Sequence, residues 1–210
     1  EKYFKLPHGT NKATGGRSAL PRIPSREITY ASREQAIILI GLQGVNLMDP
    51  RRDVLDLLDN CMSGLSSDLG TEIREKRGLV YYVGAYNMTG VDPGAFVFYA
   101  GTKPDKIDEV ESLMLAELNR VIQKGIRQEE LDRTRNQLLA EYEMSLQDNG
   151  GLALKCALDE LYGCGYDYLF TLESRLSKLV PEDIKRAASS LFSPDKVVVS
   201  IVLPEKSTKQ

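Results

Sequence analysis

Apolar residues recur in two rhythms along the chain. Near its start, "REITYASREQAIILIGLQG" offers one short strand candidate and then a continuous apolar run over Ala36–Leu42, the mark of a buried strand. "MDPRRDVLDLLDNCMSGL" changes to helical spacing: Val54, Leu57, Leu58, Cys61 and Leu65 share one face, with Asp49 as N-cap and Pro50 at the first helical position. A short helical turn over Ser67–Arg77 leads into strands at Leu79–Met88 and Ala95–Gly101, joined by the turn "TGVDPG".

The back half is mostly helical. Ile107, Val110, Met114, Leu118 and Val121 form one stripe that Gly125 stops. Further helices are predicted over about 128–147, 150–162, 166–178 and 181–192, the last with Pro181 early, where proline is tolerated. "KVVVSIVLP" closes the pattern as a central strand. Strands that do not alternate regularly with helices predict an α+β fold: a mainly antiparallel, mixed sheet with helices packed on one face, in two layers. Residues 1–25 mix Gly, Pro, Ser and basic side chains without period and read as a linker or extended arm; the ordered domain is expected over 26–206.

Composition narrows the function classes. With 210 residues, 42% hydrophobic and 27% charged, the chain is ordinary for a soluble globular domain. A net charge of −3, and no dense basic run with interleaved aromatics, argue against a nucleic-acid partner. No apolar run reaches the length of a membrane span. The chain opens on Glu1 without a signal peptide, so it is expected to be a piece of something longer. Three cysteines, Cys61, Cys156 and Cys164, make no complete disulfide set; Cys61 and Cys156 sit at apolar helical positions, as small buried hydrophobes do. The cysteines do not fix a compartment.

Catalytic machinery is thin. His8 is the only histidine, so a two-histidine metal site within this chain is excluded, and a Ser-His or Cys-His nucleophile would have to draw on the arm. Cys156 and Cys164 lack zinc-site spacing, and the glycines of "GLQGVN" and "CGYD" match neither a phosphate loop nor a dinucleotide fingerprint. The carboxylates of "DEVE" and "QEELD" belong to solvated helix faces.

One stretch stands apart: "EIREKRGLVYYVGAY", Glu72–Tyr86, where a charged helical turn breaks at Gly78 and continues as a strand. Two readings are open. Arg74, Lys76 and Arg77 suit the negative end of a helix, Gly78 a left-handed cap, and Tyr81 a strand aromatic. Alternatively, a helix that stops at a glycine and turns into a strand projects both sets of side chains toward one edge. There an arginine can hold a peptide carbonyl, and a phenol can donate to an oxygen gaining charge. Such a pair is a clamp without a nucleophile.

"LDNCMSGLSSDLGTEIREKRGLVYYVGAY" resembles the signature of the second type of domain in the pitrilysin and insulin-degrading-enzyme family of zinc metallopeptidases. The resemblance covers about residues 26 to 204, with "GAFVFYAGTKPDKIDEV" and "ELDRTRNQLLAEYE" following in family order. It implies a peptidase assembled from two related halves around a chamber. One half carries His-x-x-Glu-His and zinc; the other supplies an Arg and a Tyr seven residues apart, matched here by Arg74 and Tyr81. By that resemblance Arg74 and Tyr81 bind peptide substrate, and Tyr81 stabilises the oxyanion formed by zinc-bound water. Zinc is then expected in a partner half, of the same precursor or on another subunit, and not in this chain, which would be inactive alone. Two departures stand out: the family's glycine-rich segment is reduced to "MSGLSS", and the zinc motif is absent. The family also includes non-catalytic subunits that shape a chamber or scaffold a complex, which is the competing expectation.

Overall fold

A computed structural model describes residues 25–64 and 67–205. The expected arm with His8 lies outside the described residues, except that Ser25 already begins a strand; Leu65 lies outside them too.

Five strands form one mixed sheet: β1 (Ser25–Ala31), β2 (Ala36–Gln43), β3 (Val80–Met88), β4 (Ala95–Thr102) and β5 (Val198–Pro204). Their order is β1-β5-β2-β4-β3, and only the β1–β5 pair is parallel. The closing strand is therefore interior, in keeping with its apolar sequence, which only Ser200 interrupts. Ala36, Ile38, Ile40 and Leu42 alternate on the buried face of β2 and pair with Thr102, Ala100, Phe98 and Phe96 of β4. Ile37, Leu39, Tyr99, Tyr82 and Tyr86 fall on the opposite, more open face.

The helices are α1 (Arg52–Met62), α2 (Ile107–Lys124), α3 (Gln128–Ser145), α4 (Asn149–Leu161), α5 (Leu172–Leu176) and α6 (Pro181–Leu191). The core joins their stripes to the sheet: Val54, Leu57, Leu58 and Cys61 from α1 and Val110, Met114, Leu118 and Val121 from α2 are all buried. Cys156 is only half-buried.

Two local expectations shift. Asp49 caps a turn that precedes α1: its carboxylate accepts from the Arg51 N–H at 2.8 Å and also pairs with the Arg51 guanidinium, so the helix proper starts at Arg52. The helix expected over 166–178 is divided into a 3₁₀ turn at Tyr168–Thr171 and the short α5. Arg175 holds that turn in place. It donates to the Tyr168 carbonyl and to the Thr171 hydroxyl, pairs with Asp53 at 2.7 Å, and stacks 3.8 Å from the centre of the Tyr168 ring.

Candidate functional site

The junction between the charged turn and β3 is built from Ser67 onward. The Ser67 hydroxyl donates to the Gly64 carbonyl at 2.7 Å and accepts from the Gly70 N–H at 2.9 Å, so a fully buried side chain starts the turn. Gly70–Lys76 is then wound wider than an α-helix, in π form, a geometry that recurs at functional sites.

Its exit is a widened cap. Gly78 has φ 61°, its N–H donates to the Arg74 carbonyl at 3.0 Å, and the Leu79 N–H reaches the Ile73 carbonyl at 3.0 Å. Each bond spans one residue more than in a Schellman motif. Buried Ile73 plugs the turn from beneath while Arg74 stays exposed.

A second irregularity follows at once. Val80 pairs with Thr102 and Tyr82 with Gly101, leaving Tyr81 as an extra residue in a β-bulge. Tyr81 therefore leaves the in-out alternation and is 47% exposed next to exposed Tyr82. Opposite it, Gly101 leaves room for the Tyr82 ring, whose atoms lie 2.4 Å from where a Cβ would stand. Arg74 and Tyr81 thus occupy consecutive elements, one on each side of Gly78, at an outer strand of the sheet.

The rest of that outer edge is closed. The Ser63 hydroxyl donates to the Ala85 carbonyl at 2.9 Å and accepts from its N–H at 3.1 Å. Asp59 accepts from the Asn87 N–H at 3.1 Å, and Asp56 from the Asn87 side chain at 2.7 Å. Burial pushes both carboxyls up, Asp59 to about 6. Within the turn, Glu72 pairs with Lys76 at 3.0 Å and Arg77 at 2.9 Å, and these bonds hold its carboxyl below the usual range. Arg74 has no ion-pair partner among the described residues.

The start of the turn is anchored by charges the sequence did not reveal. Asp68 takes Arg127 at 2.8 Å and stands 3.6 Å from Arg120, which is itself paired with Glu117 at 2.7 Å. No local spacing links residues so far apart in the chain. Its one signal was the acid at Glu130, whose carboxylate accepts from the Arg127 N–H at 2.7 Å at the start of α3.

A cavity of about 250 Å³ lies elsewhere, lined by Asp56, Asp59 and Asp159 with Arg52, Lys155 and Arg175. It includes neither Arg74 nor Tyr81. Among the described residues no group of three or more His, Cys, Asp or Glu is placed to hold a metal ion, and the single histidine lies outside them. The described side chains do not fit a zinc site.

The family model described as "Peptidase M16 inactive domain" matches residues 1–138. The chain belongs to the M16 peptidase family, as its inactive domain. This M16 domain is 30% identical over 193 residues to an uncharacterized zinc protease of Streptomyces coelicolor, covering 88% of this chain and 42% of that protein. It is 26% identical over 197 residues to the uncharacterized zinc protease YmxG of Bacillus subtilis, covering 93% and 48%. The chain thus spans less than half the length of these curated relatives. In fold it is similar to the crystal structure of a peptidase M16 inactive domain from Pseudomonas fluorescens, with TM-score 0.86 at 22% identity over 97% of this chain and 48% of that one. The expected layered α+β fold is that of this M16 neighbour. No helix among the described residues is long and apolar enough to cross a membrane.

Proposed function

We propose that this M16 domain clamps peptide substrate against a zinc centre carried by another domain or subunit. Arg74 grips a backbone carbonyl of the peptide. Tyr81 donates its phenol to the oxygen that gains charge as the peptide carbonyl is attacked. The observation that carries this is the pairing of Arg74, exposed and without an internal ion-pair partner among the described residues, with bulged and exposed Tyr81 on an edge otherwise closed by Ser63 and Asp59.

Local structure supports the reading in a second way. A π-wound turn and a β-bulge both spend regular hydrogen bonding, and here they flank a single glycine between the two residues of interest. A scaffold subunit has no chemical need for that exposed pair. The site is an open edge and not a pocket, which suits half of a composite centre. Zinc and the general base belong to the partner half; relatives named zinc proteases are more than twice the length matched here. Steady-state kinetics of Tyr81→Phe and Arg74→Ala in the assembled peptidase test the proposal.

A further inference from the structure

α4 turns its leucines outward and an aspartate inward. Leu154, Leu158 and Leu161 are exposed on its outer apolar face, while Asp159 is 8% exposed and the one buried residue of the helix. Asp159 lines the cavity of about 250 Å³, and its carboxylate has neither a hydrogen bond nor an ion pair among the described residues. A charge buried without a partner is unfavourable unless something else supplies one.

The same cavity holds the opposite deficit. Arg52, from α1, donates no side-chain hydrogen bond among the described residues, and its buried Nε and Nη1 have no acceptor. Nor do the charges of the wall balance. Asp53 and Arg175 neutralise each other at 2.7 Å, and Asp56 stands 3.7 Å from Arg52. That leaves Asp59 and Asp159 against exposed Lys155. Burial, and then the neighbouring Asp56, pushes the Asp59 carboxyl up to about 6, as expected of an acid short of a cation. Between these charges Leu138, Leu169, Leu172 and Leu176 supply an apolar wall.

We propose that this cavity binds a free basic amino acid, lysine or arginine, with its side-chain cation at Asp159 and Asp59 and its carboxylate on Arg52. Such a ligand carries one net positive charge, which cancels the surplus acid of the wall. Its carboxylate answers the donors of Arg52, and its methylene stem lies along the leucines. The volume is below the roughly 300–1,000 Å³ of pockets for drug-sized ligands, which suits a single amino acid. A bare metal ion fits less well, because no group of three or more His, Cys, Asp or Glu among the described residues is placed to hold one. Neither Arg74 nor Tyr81 lines the cavity, so this site is independent of the clamp.

Isothermal titration of the full-length polypeptide with L-lysine and L-arginine tests the proposal. One of them, or both, should bind one to one. Norleucine lacks the side-chain cation, and cadaverine and agmatine lack the carboxylate. Each should bind at least about tenfold more weakly, since each leaves one buried charge unanswered. Asp159→Asn should weaken amino-acid binding by a similar factor without lowering the thermal midpoint, because it removes an unpaired buried charge. Arg74→Ala should leave the titration unchanged. If Asp159→Asn fails to fold, the ligand series on the unaltered protein decides alone. Binding by neither amino acid, or equal binding of norleucine, cadaverine or agmatine, overturns the site. Binding that survives Asp159→Asn and is lost in Arg74→Ala belongs to the peptide edge and overturns it as well. Each of these results leaves the kinetic test of the Arg74–Tyr81 clamp untouched.

Discussion

Asp68 accepts both arms of the Arg127 guanidinium, at 2.8 and 2.9 Å, and so ties the first residues of the Arg74 turn to the start of α3. The same Arg127 stands 3.3 Å from Glu130, which is 1% exposed and whose other cation, Arg120, is 4.0 Å away. The two ends of this pair should therefore respond differently to substitution. Asp68→Asn keeps one acceptor at a partly exposed site and is expected to cost about 1 kcal/mol or less. Arg127→Ala strips a buried carboxylate of its nearer cation and is expected to cost about 3 kcal/mol. Urea unfolding of both variants checks the order; equal losses would mean that Glu130 does not depend on Arg127.

Two glycines separate backbone strain from crowding. Gly78 sits at φ 61° with open space where a Cβ would go, so Gly78→Ala should cost only the left-handed conformation, about 1 kcal/mol. Gly125 combines φ 70° with ψ −151°, and a Cβ there would lie 2.9 Å from the Lys185 Cβ. Gly125→Ala should cost clearly more, about 2 kcal/mol or above. Chemical denaturation of the pair measures the difference, and a Gly78→Ala variant as damaged as Gly125→Ala would show that the widened cap tolerates no relaxation.

Much of this architecture was written in short-range patterns. The run at Ala36–Leu42 needed no partner to be recognised as a buried strand, and the stripe from Ile107 to Val121 fixed the buried face of α2. Gly78 at the break announced its own positive φ. Illegible were the features set by distant residues. The bulge at Tyr81 exists because of how Val80 and Tyr82 pair with β4, and Arg175 divides the helix expected over 166–178 through a contact with Asp53 across 122 residues. Ser63 and Asp59 close the β3 edge only once α1 is laid against it. The outer apolar face of α4 followed the helical period faithfully; a period cannot say which of two faces meets the core.

Stability should fall as pH rises through about 6. Burial raises the folded-state carboxyl of Asp59 from 3.8 to about 6, and that of nearby Asp56 also upward. A folded state that binds more protons than the unfolded one is favoured by acid between the two pKa values. From pH 7 to about 5, wild-type stability should therefore rise. Asp68 and Glu72, held low by their arginine and lysine partners, act oppositely, with stability lost only as pH falls below their ordinary carboxyl range. Asp59→Asn should flatten the upper part of the profile while still accepting from the Asn87 N–H. Urea midpoints at half-unit pH intervals measure this, and an unchanged slope in the variant would assign the effect elsewhere.

The chemistry is tested at Tyr81. Tyr81→Phe keeps the ring, and because the side chain is exposed at a bulge, stability should change little. On the proposed role, what is lost is one donor to charge developing in the transition state, which typically lowers turnover about a hundred- to a thousand-fold, roughly 2.7–4 kcal/mol. Arg74→Ala should act on KM as well as kcat, because an arginine that holds a ground-state carbonyl binds substrate before any charge develops. Neither substitution should alter the metal content of the partner half, since neither residue belongs to a metal cluster among the described residues. Kinetics on the assembled peptidase, with zinc measured alongside, separate the roles. A Tyr81→Phe enzyme at full turnover would make the phenol a surface residue, and an Arg74→Ala enzyme with unchanged KM would remove the grip on the peptide backbone.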